Sequence, residues 1–210
     1  MTDKKEHIID IAIELFATKG FEGTSIRDLA AAADVNVAMV NYYFGSKEKL
    51  FEELVQRKAA SSRNLLTEIA NDSSLTAIEK IDKVIELYVE KIFTNRKFHR
   101  VIHQELITNQ RETLTRNIAD SMFPNALSMK TIVEEGIRNK EFKNVDVQLT
   151  IASILGTINQ ILLSKTFCLR LLDKQEDYVP YEDPKFKKRV NDHLKELMRD
   201  HLLKITNNPQ

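Results

Sequence analysis

The stretch from Thr24 to Lys47, TSIRDLAAAADVNVAMVNYYFGSK, contains the pattern of a short amphipathic helix in its first half. This helix is predicted over about Ser25 to Ala33, and either Thr24 or Ser25 can cap its free N–H groups. Its apolar residues recur at three- and four-residue spacing and so form one stripe, made of Ile26, Leu29, Ala30 and Ala33.

The second half of the stretch predicts another short helix after a sharp corner. Asp34 and Val35 form the connection, and the helix follows from about Asn36 to Tyr43. Two short helices joined in this way are typical of a helix-turn-helix, in which the second helix enters the DNA major groove. Short helix pairs with alanine-rich stripes also occur in ordinary helical bundles, so the pattern by itself leaves both interpretations open.

The two faces of the second helix favour DNA binding. At about 100° per residue, Val40 and Phe44 fall on one face and are predicted to be buried. The opposite face is small or hydrogen-bonding and has no carboxylate that would repel phosphate: Ala38, Asn41 and Tyr42, with Met39 and Tyr43 on its flanks.

Helices on both sides complete this segment. The preceding helix is predicted over about Lys4 to Lys19, and Phe21 is expected to fill a small core with Leu29, Val40 and Phe44. Ser46 is expected to cap a further helix from Lys47 to about Ala70, which places a cation beside N–H groups that can hold a phosphate.

The segment from about Lys5 to Leu54 resembles the N-terminal domain of the TetR (tetracycline-repressor) family of bacterial regulators. Five marks of that family occur in the right order: Glu14-Leu15-Phe16, Gly20-Phe21, Gly23-Thr24-Ser25, Tyr42-Tyr43-Phe44 and Ser46-Lys47-Glu48. The rest of the chain resembles the family only in its length and helical character.

The resemblance implies an all-α fold, with a three-helix helix-turn-helix domain over residues 1–46 and a larger helical effector-binding and dimerisation domain over residues 47–210. It implies a homodimer, joined through the last two long helices, that represses from a palindromic operator in double-stranded DNA and is released by a small-molecule effector. Lys47 matches the phosphate-gripping lysine of the family, and Thr24 and Ser25 match capping positions that also touch the DNA backbone. The family's other DNA-contacting positions fall on Arg27, Asn36, Val37, Ala38, Met39, Asn41, Tyr42 and Tyr43.

The second motif helix departs from many relatives at Met39, Val40 and Asn41, where Thr or Ser followed by Leu-Tyr is common. Asn41 can pair bidentately with adenine, while Ala38 and Met39 can contact thymine methyl groups. We therefore expect a half-site that favours A·T pairs.

The composition limits the class of protein. The 31 basic and 31 acidic residues cancel, and Met1 to Lys58 contains eight Lys and Arg against ten Asp and Glu, a net charge of −2. DNA attraction must therefore come from a local cluster such as Arg27, Lys47 and Lys49, with few phosphate contacts. Cys168 is the single cysteine, and the charged N-terminus lacks a signal-peptide core, so a cytoplasmic protein without a membrane span is expected.

The rest of the chain predicts further helices. Thr76 to Glu79 is a capping box, and Asp183-Pro184 combines a cap with a proline at the first helical position. The predicted helices span about Thr76 to Asn95, Lys97 to Thr108, Glu112 to Lys140 with a bend near Pro124, a helix after Asp146 that includes Ile151 to Leu163, and Pro184 to about Ile205, with a polar loop over residues 173–183.

The helix around Ile151 to Leu163 is apolar on most of its circumference. Such a helix is either enclosed by its own domain or shared with a second chain. The small residues Ala152, Ser153 and Gly156 permit close approach of a partner helix. Both interpretations stand at this point, and the family resemblance favours the dimer.

Catalysis finds little support in the sequence. His99 and His103 are spaced for one helical face near Glu105, but a third metal ligand is not evident. Cys168 lies between Phe167 and Leu169 and is interpreted as a core residue. With no phosphate-binding glycine loop and no GxSxG motif, we expect no enzyme, no catalytic residue, no cofactor and no metal.

The effector site is not readable from the sequence. Residues of mixed polarity in the second domain are possible lining residues: Tyr88, Phe93, Phe98, His99, His103, Phe123 and Met129. A DNA-bound adaptor that recruits a protein partner is the alternative. An enclosed cavity favours the ligand-responsive regulator, whereas a filled core with an exposed apolar patch favours the adaptor.

Overall fold

The computed structural model describes residues 2–108 and 110–204, except for the side chains of Thr2, Asp3, Leu162 and Leu163. All regular structure in these residues is helical, which confirms the predicted all-α fold. The helices are α1 (Thr2–Lys19), α2 (Ile26–Ala32), α3 (Val37–Phe44), α4 (Lys47–Asn71), α5 (Ala77–Thr94), α6 (Arg96–Thr108), α7 (Glu112–Arg138), α8 (Val147–Leu163), α9 (Lys165–Leu171) and α10 (Pro184–Leu202). The last helix ends at Leu202, earlier than the predicted end at about Ile205, a residue that itself lies outside the described residues.

The caps predicted from the sequence define several helix starts. The Ser25 hydroxyl accepts from the Asp28 N–H at 3.1 Å and the Asp28 carboxylate accepts from the Ser25 N–H at 2.8 Å, which is a capping box before α2. The predicted box between Thr76 and Glu79 is also present before α5. The corner between α2 and α3 is formed at Asp34, whose φ of 51° lies in the left-handed region that aspartate tolerates.

The chain forms two compact units. The first unit comprises Met1–Ser62 and Asn95–Pro124, and the second comprises Arg63–Thr94 and Asn125–Gln210. The compact unit that holds the helix-turn-helix therefore includes α6 and the first part of α7 as well as the predicted domain of residues 1–46. Two helices, α4 and α7, contribute to both units.

The core of the first unit is built around three phenylalanine rings. Phe16, Phe21 and Phe51 lie with each pair of ring centroids 5.3 Å apart, and all three side chains are buried. Leu29, Val40 and Phe44 belong to the same cluster, as predicted. This packing fixes α3 on its apolar side and leaves its other side to solvent.

The second unit has a separate core, formed mainly by α5, α7, α8 and α10. Three ion pairs join α5 to α10 beside that core: Asp82 with Arg199, Glu86 with Lys195, and Glu90 with Lys187. Pro124 lies inside α7 without ending it, so the predicted single long helix is confirmed.

The structure contains one helix, α9, that the sequence does not predict. The chain turns at Ser164, whose hydroxyl accepts from the Phe167 N–H at 3.1 Å and caps the separate helix α9. Within the described residues no single helix is long and apolar enough to cross a membrane; only the pair Val147–Ile161 and Lys165–Leu171, bent by 97°, reaches that length and composition together.

Candidate nucleic-acid interface

The candidate interface is the solvent face of α3. Val40 and Phe44 are 0% and 5% exposed and hold the helix to the core of the first unit. On the other side, Ala38 and Asn41 are exposed and Tyr42 is 76% exposed. The predicted division of α3 into a buried and an exposed face is therefore confirmed.

The N-terminal end of α3 is also open to solvent. The Asn36 side-chain oxygen accepts from the Met39 N–H at 2.7 Å and caps the helix. Val37 is 38% exposed, and Met39 is partly buried. The first N–H groups of a helix have no carbonyl partner within it, so the N–H groups of Val37 and Ala38, ahead of the capped Met39, are potential hydrogen-bond donors.

Two tyrosines follow one another at the C-terminal end of α3 and take different positions. Their ring centroids are 5.5 Å apart in an edge-on arrangement. Tyr43 is partly buried and packs against the core cluster of the first unit, whereas Tyr42 projects into solvent. Tyr42 is therefore the better placed of the two for an external contact.

The flank formed by α2 carries both signs of charge. Arg27 and Ser25 are exposed. Hydrogen bonds from the Ser25 hydroxyl and N–H, together with Lys19 at 3.1 Å, hold the pKa of the Asp28 carboxyl well below its usual range. Asp28 is thus a permanent anion beside Arg27, which limits the net positive charge of this flank.

Thr24 departs from the predicted placement. Its side chain is 1% exposed and its hydroxyl donates to the Gly20 carbonyl at 2.8 Å, which closes the turn after α1. Ser25, and not Thr24, caps α2. A hydroxyl buried in this way is not placed to contact a phosphate, so the geometry does not support a direct DNA contact by the Thr24 side chain.

Lys47 is engaged within the protein. Its ammonium group donates to the Phe21 carbonyl at 2.8 Å and lies 4.3 Å from the centroid of the Phe21 ring. The side chain is only partly buried, and an ammonium group has two further protons to donate. The predicted phosphate contact of Lys47 therefore has to form while the same ammonium group stays bound to Phe21 or after it leaves Phe21.

The suggested effector-lining residues do not form one group. Tyr88, Phe93 and Met129 belong to the second unit, and the pKa of Tyr88 is raised to about 12 by burial. Met129 is fully buried in the core, whereas Phe123, in the first unit, is 64% exposed. In the part of the chain that the structure describes, no three His, Cys, Asp or Glu side chains converge to hold a metal ion.

Comparison with protein families identifies two matching regions. Residues 8–54 match the model described as "Bacterial regulatory proteins, tetR family". Residues 74–163 match a model described as "Tetracyclin repressor-like, C-terminal domain". The two matches follow each other in the order expected for a helix-turn-helix with an attached helical domain.

Similar proteins include regulators from two bacteria. The chain is 28% identical over 193 residues to the probable HTH-type transcriptional regulator YttP of Bacillus subtilis, which covers 91% of this chain and 90% of YttP. It is 29% identical over 126 residues to IcaR, the negative regulator of the biofilm operon icaADBC in Staphylococcus aureus, which covers 55% of this chain and 67% of IcaR.

Solved structures share the fold. The FadR regulator from Bacillus subtilis, solved in complex with stearoyl-CoA, superposes with a TM-score of 0.73 at 22% identity, over 92% of this chain and 96% of FadR. HlyIIR, a hemolysin II transcriptional regulator, superposes with a TM-score of 0.67 at 24% identity, over 92% of this chain and 98% of HlyIIR.

Proposed function

Because the chain belongs to the TetR family of bacterial regulatory proteins, we propose that it is a dimeric repressor that leaves a palindromic operator when a small-molecule effector binds. Family membership makes the protein a transcriptional regulator and not an enzyme, as predicted. The observation that carries the proposal is the exposed, carboxylate-free face of α3. We propose the cytoplasm as its location, since that is where a bacterial regulator meets DNA.

The proposed base reading centres on Asn41. Its side-chain nitrogen can donate to N7 of adenine while its side-chain oxygen accepts from the N6 amino group, which makes a bidentate pair. Ala38 and Met39 lie one turn or less away and are suited to thymine methyl groups. Ser25, Arg27, Asn36, Val37, Tyr42 and Tyr43 are proposed to contact the backbone or neighbouring bases, with Thr24 supporting the turn behind them.

The salt dependence follows from the charge of this region. Met1 to Lys58 carries a net charge of −2, so few phosphates are neutralised per subunit. Each neutralised phosphate contributes about 0.9 to the slope of log affinity against log salt. We expect a shallow slope, with affinity that depends more on the bidentate base contact and on the second subunit than on bulk charge.

The dimer is proposed to form through α8 and α10. Leu149 is 65% exposed on α8, and the exposed residues that follow it, Ala152, Ser153 and Gly156, are small. A β-carbon added at Gly156 would meet no atom within 4 Å. An exposed leucine beside small residues suits close helix packing, and two linked recognition helices bind a palindrome far more tightly than one.

Effector binding is proposed for the second unit. Its grooves include one of about 260 Å³ between α8, α9 and α10 and one of about 270 Å³ beside the start of α5. These volumes lie near the lower limit, about 300 Å³, of typical small-molecule sites. The stearoyl-CoA bound by the FadR neighbour supports ligand binding by a chain of this fold.

The adaptor alternative is favoured by one observation. Phe167 and Leu171 lie four residues apart on α9, and they are 46% and 65% exposed. Exposed apolar side chains on one helix face are able to form part of a larger protein-binding patch. If this alternative holds, replacing both with serine will abolish repression in cells while operator affinity and subunit association stay unchanged.

The test of the main proposal is selection of bound sequences from random DNA. The wild-type chain should enrich a palindrome with A·T pairs in each half-site. Asn41→Ala should lower affinity about tenfold or more and remove the preference at one position per half-site, since a bidentate contact contributes about 1–3 kcal/mol. Asn144→Ala, an exposed asparagine outside the interface, is the matched control and should change neither property.

Two outcomes contradict the proposal. No enriched sequence with the wild-type chain would remove the DNA-binding function, and an unchanged preference with Asn41→Ala would remove the base reading. Metabolites are then screened for release of the selected operator and for a thermal shift. A ligand that does both supports the effector, and a broad library with neither effect favours the adaptor.

A further inference from the structure

Two cations share the ring of Phe21 in the first unit. The Lys47 ammonium lies 4.3 Å from the ring centroid and the Arg111 guanidinium carbon lies 4.1 Å from it. Lys47 also donates to the Phe21 carbonyl. Phe21 thus connects the start of α4, at the candidate interface, with the segment between α6 and α7 that carries Arg111.

Arg111 holds a buried carboxylate. One of its terminal nitrogens lies 2.7 Å from a carboxylate oxygen of Glu105, which is 6% exposed, and the other pairs with the exposed Glu22. Burial raises the pKa of the Glu105 carboxyl, and the positive charge of Lys47 acts on the same carboxyl in the opposite direction. Glu105 therefore has two cations within its electrostatic reach, one paired with it and one engaged at Phe21.

The pairing of Arg111 is not fully satisfied. Its buried Nε–H donates to no acceptor among the described residues, and burial lowers the pKa of the guanidinium. A buried carboxylate that loses its cation is strongly destabilised unless another cation replaces it. If Arg111 were withdrawn, Lys47 would be the candidate replacement, because it lies against the same Phe21 ring as Arg111.

We propose that Arg111 is a positioning residue that keeps Lys47 available to an operator phosphate by occupying Glu105. When Arg111 leaves Glu105, the carboxylate captures Lys47 and the phosphate contact is lost. Arg111 directly precedes α7, which continues into the second unit, so a change in that helix has a covalent route to this exchange. The inference rests on the proposed function, and it explains the release of the operator by this exchange of cations at Glu105.

The test measures operator affinity of the full chain by fluorescence anisotropy for single and combined variants. Arg111→Gln should weaken binding about tenfold, the effect of one lost charge-assisted contact. It should also reduce the salt slope by about 0.9 per lost phosphate contact. Adding Glu105→Gln should restore near-wild-type affinity, because no anion remains to capture Lys47. Arg116→Gln, an exposed α7 arginine paired with Glu112, is the matched control and should have little effect.

The decisive comparison uses a chain that lacks the Lys47 ammonium. In a Lys47→Gln chain, which should itself bind weakly, Arg111→Gln should have no further effect. The proposal would be overturned if Glu105→Gln failed to restore the affinity of the Arg111→Gln chain while the double variant still unfolds cooperatively. It would also be overturned if Arg111→Gln weakened binding just as much in the Lys47→Gln chain. If Arg111→Gln alone does not fold, Glu105→Gln with and without Arg111→Gln gives the same comparison. Wild-type binding to the selected operator is scored separately, so the repressor proposal survives a failure here.

Discussion

Asn36 combines two tasks in a single side chain. Its oxygen caps α3 through the Met39 N–H, and its exposed position places it among the proposed DNA contacts. A substitution that removes the whole side chain is therefore expected to lower both the stability of α3 and the affinity for DNA, and the two effects cannot be told apart. Aspartate and asparagine cap helices about equally well, which offers a way to separate the two tasks.

Asn36→Asp should keep the stability of the first unit and lose operator affinity, because a carboxylate would then face phosphate. Asn36→Ala should lower the free energy of unfolding by about 1 kcal/mol through loss of the cap. Urea unfolding and operator titration of both variants check this. Tight operator binding by Asn36→Asp would show that position 36 lies away from the DNA backbone.

At the scale of elements, the end of α7 shows how a glycine can be required by packing. Phe142 is 2% exposed, and its N–H donates to the Gly136 carbonyl at 3.0 Å, so the chain folds back over the helix. A β-carbon at Gly136 would overlap the Phe142 ring. Alanine would be the better helix former, but the ring leaves no space for it.

Gly136→Ala should therefore destabilise the protein by about 1–3 kcal/mol, the usual cost of overpacking. Phe142→Leu removes part of the ring, so the double variant should lose less stability than the sum of the two single losses. Thermal and denaturant unfolding of the four chains measure this coupling. Additive losses would contradict the proposed contact between position 136 and the ring.

At the scale of the whole molecule, the proposed dimer links stability to concentration. A subunit that associates only when folded should show a thermal midpoint that rises with protein concentration. Gly156→Lys places a charged side chain on the small-residue face of α8, whereas Asn144→Lys adds the same charge to an exposed loop.

Gly156→Lys should yield monomers in sedimentation experiments and lower operator affinity by about 100-fold, because each recognition helix then binds alone. Asn144→Lys should sediment and bind as the wild type does. A dimer that tolerates Gly156→Lys would direct attention to another face of the protein.

Much of the first unit was predictable because its determinants are local. Ser25, Asn36 and Ser46 cap helices within three residues of themselves, and the buried and exposed faces of α3 follow from helical periodicity. The capping box at Thr76 is local in the same way. The break at Ser164 and the helix α9 were not predicted, since a serine can either continue a helix or cap a new one, and packing decides between the two.

The sequence alone determined the helical class, the helix-turn-helix and the set of side chains that α3 presents to solvent, because each depends on neighbours along the chain. Only the tertiary structure decided that Thr24 points inward, that Lys47 rests against Phe21, and that Arg111 holds Glu105 beside them. Lys47 and Arg111 are both far from Phe21 in sequence, and a contact between a cation and a ring across such a separation depends on which surfaces the packed core brings together. No local pattern encodes that choice.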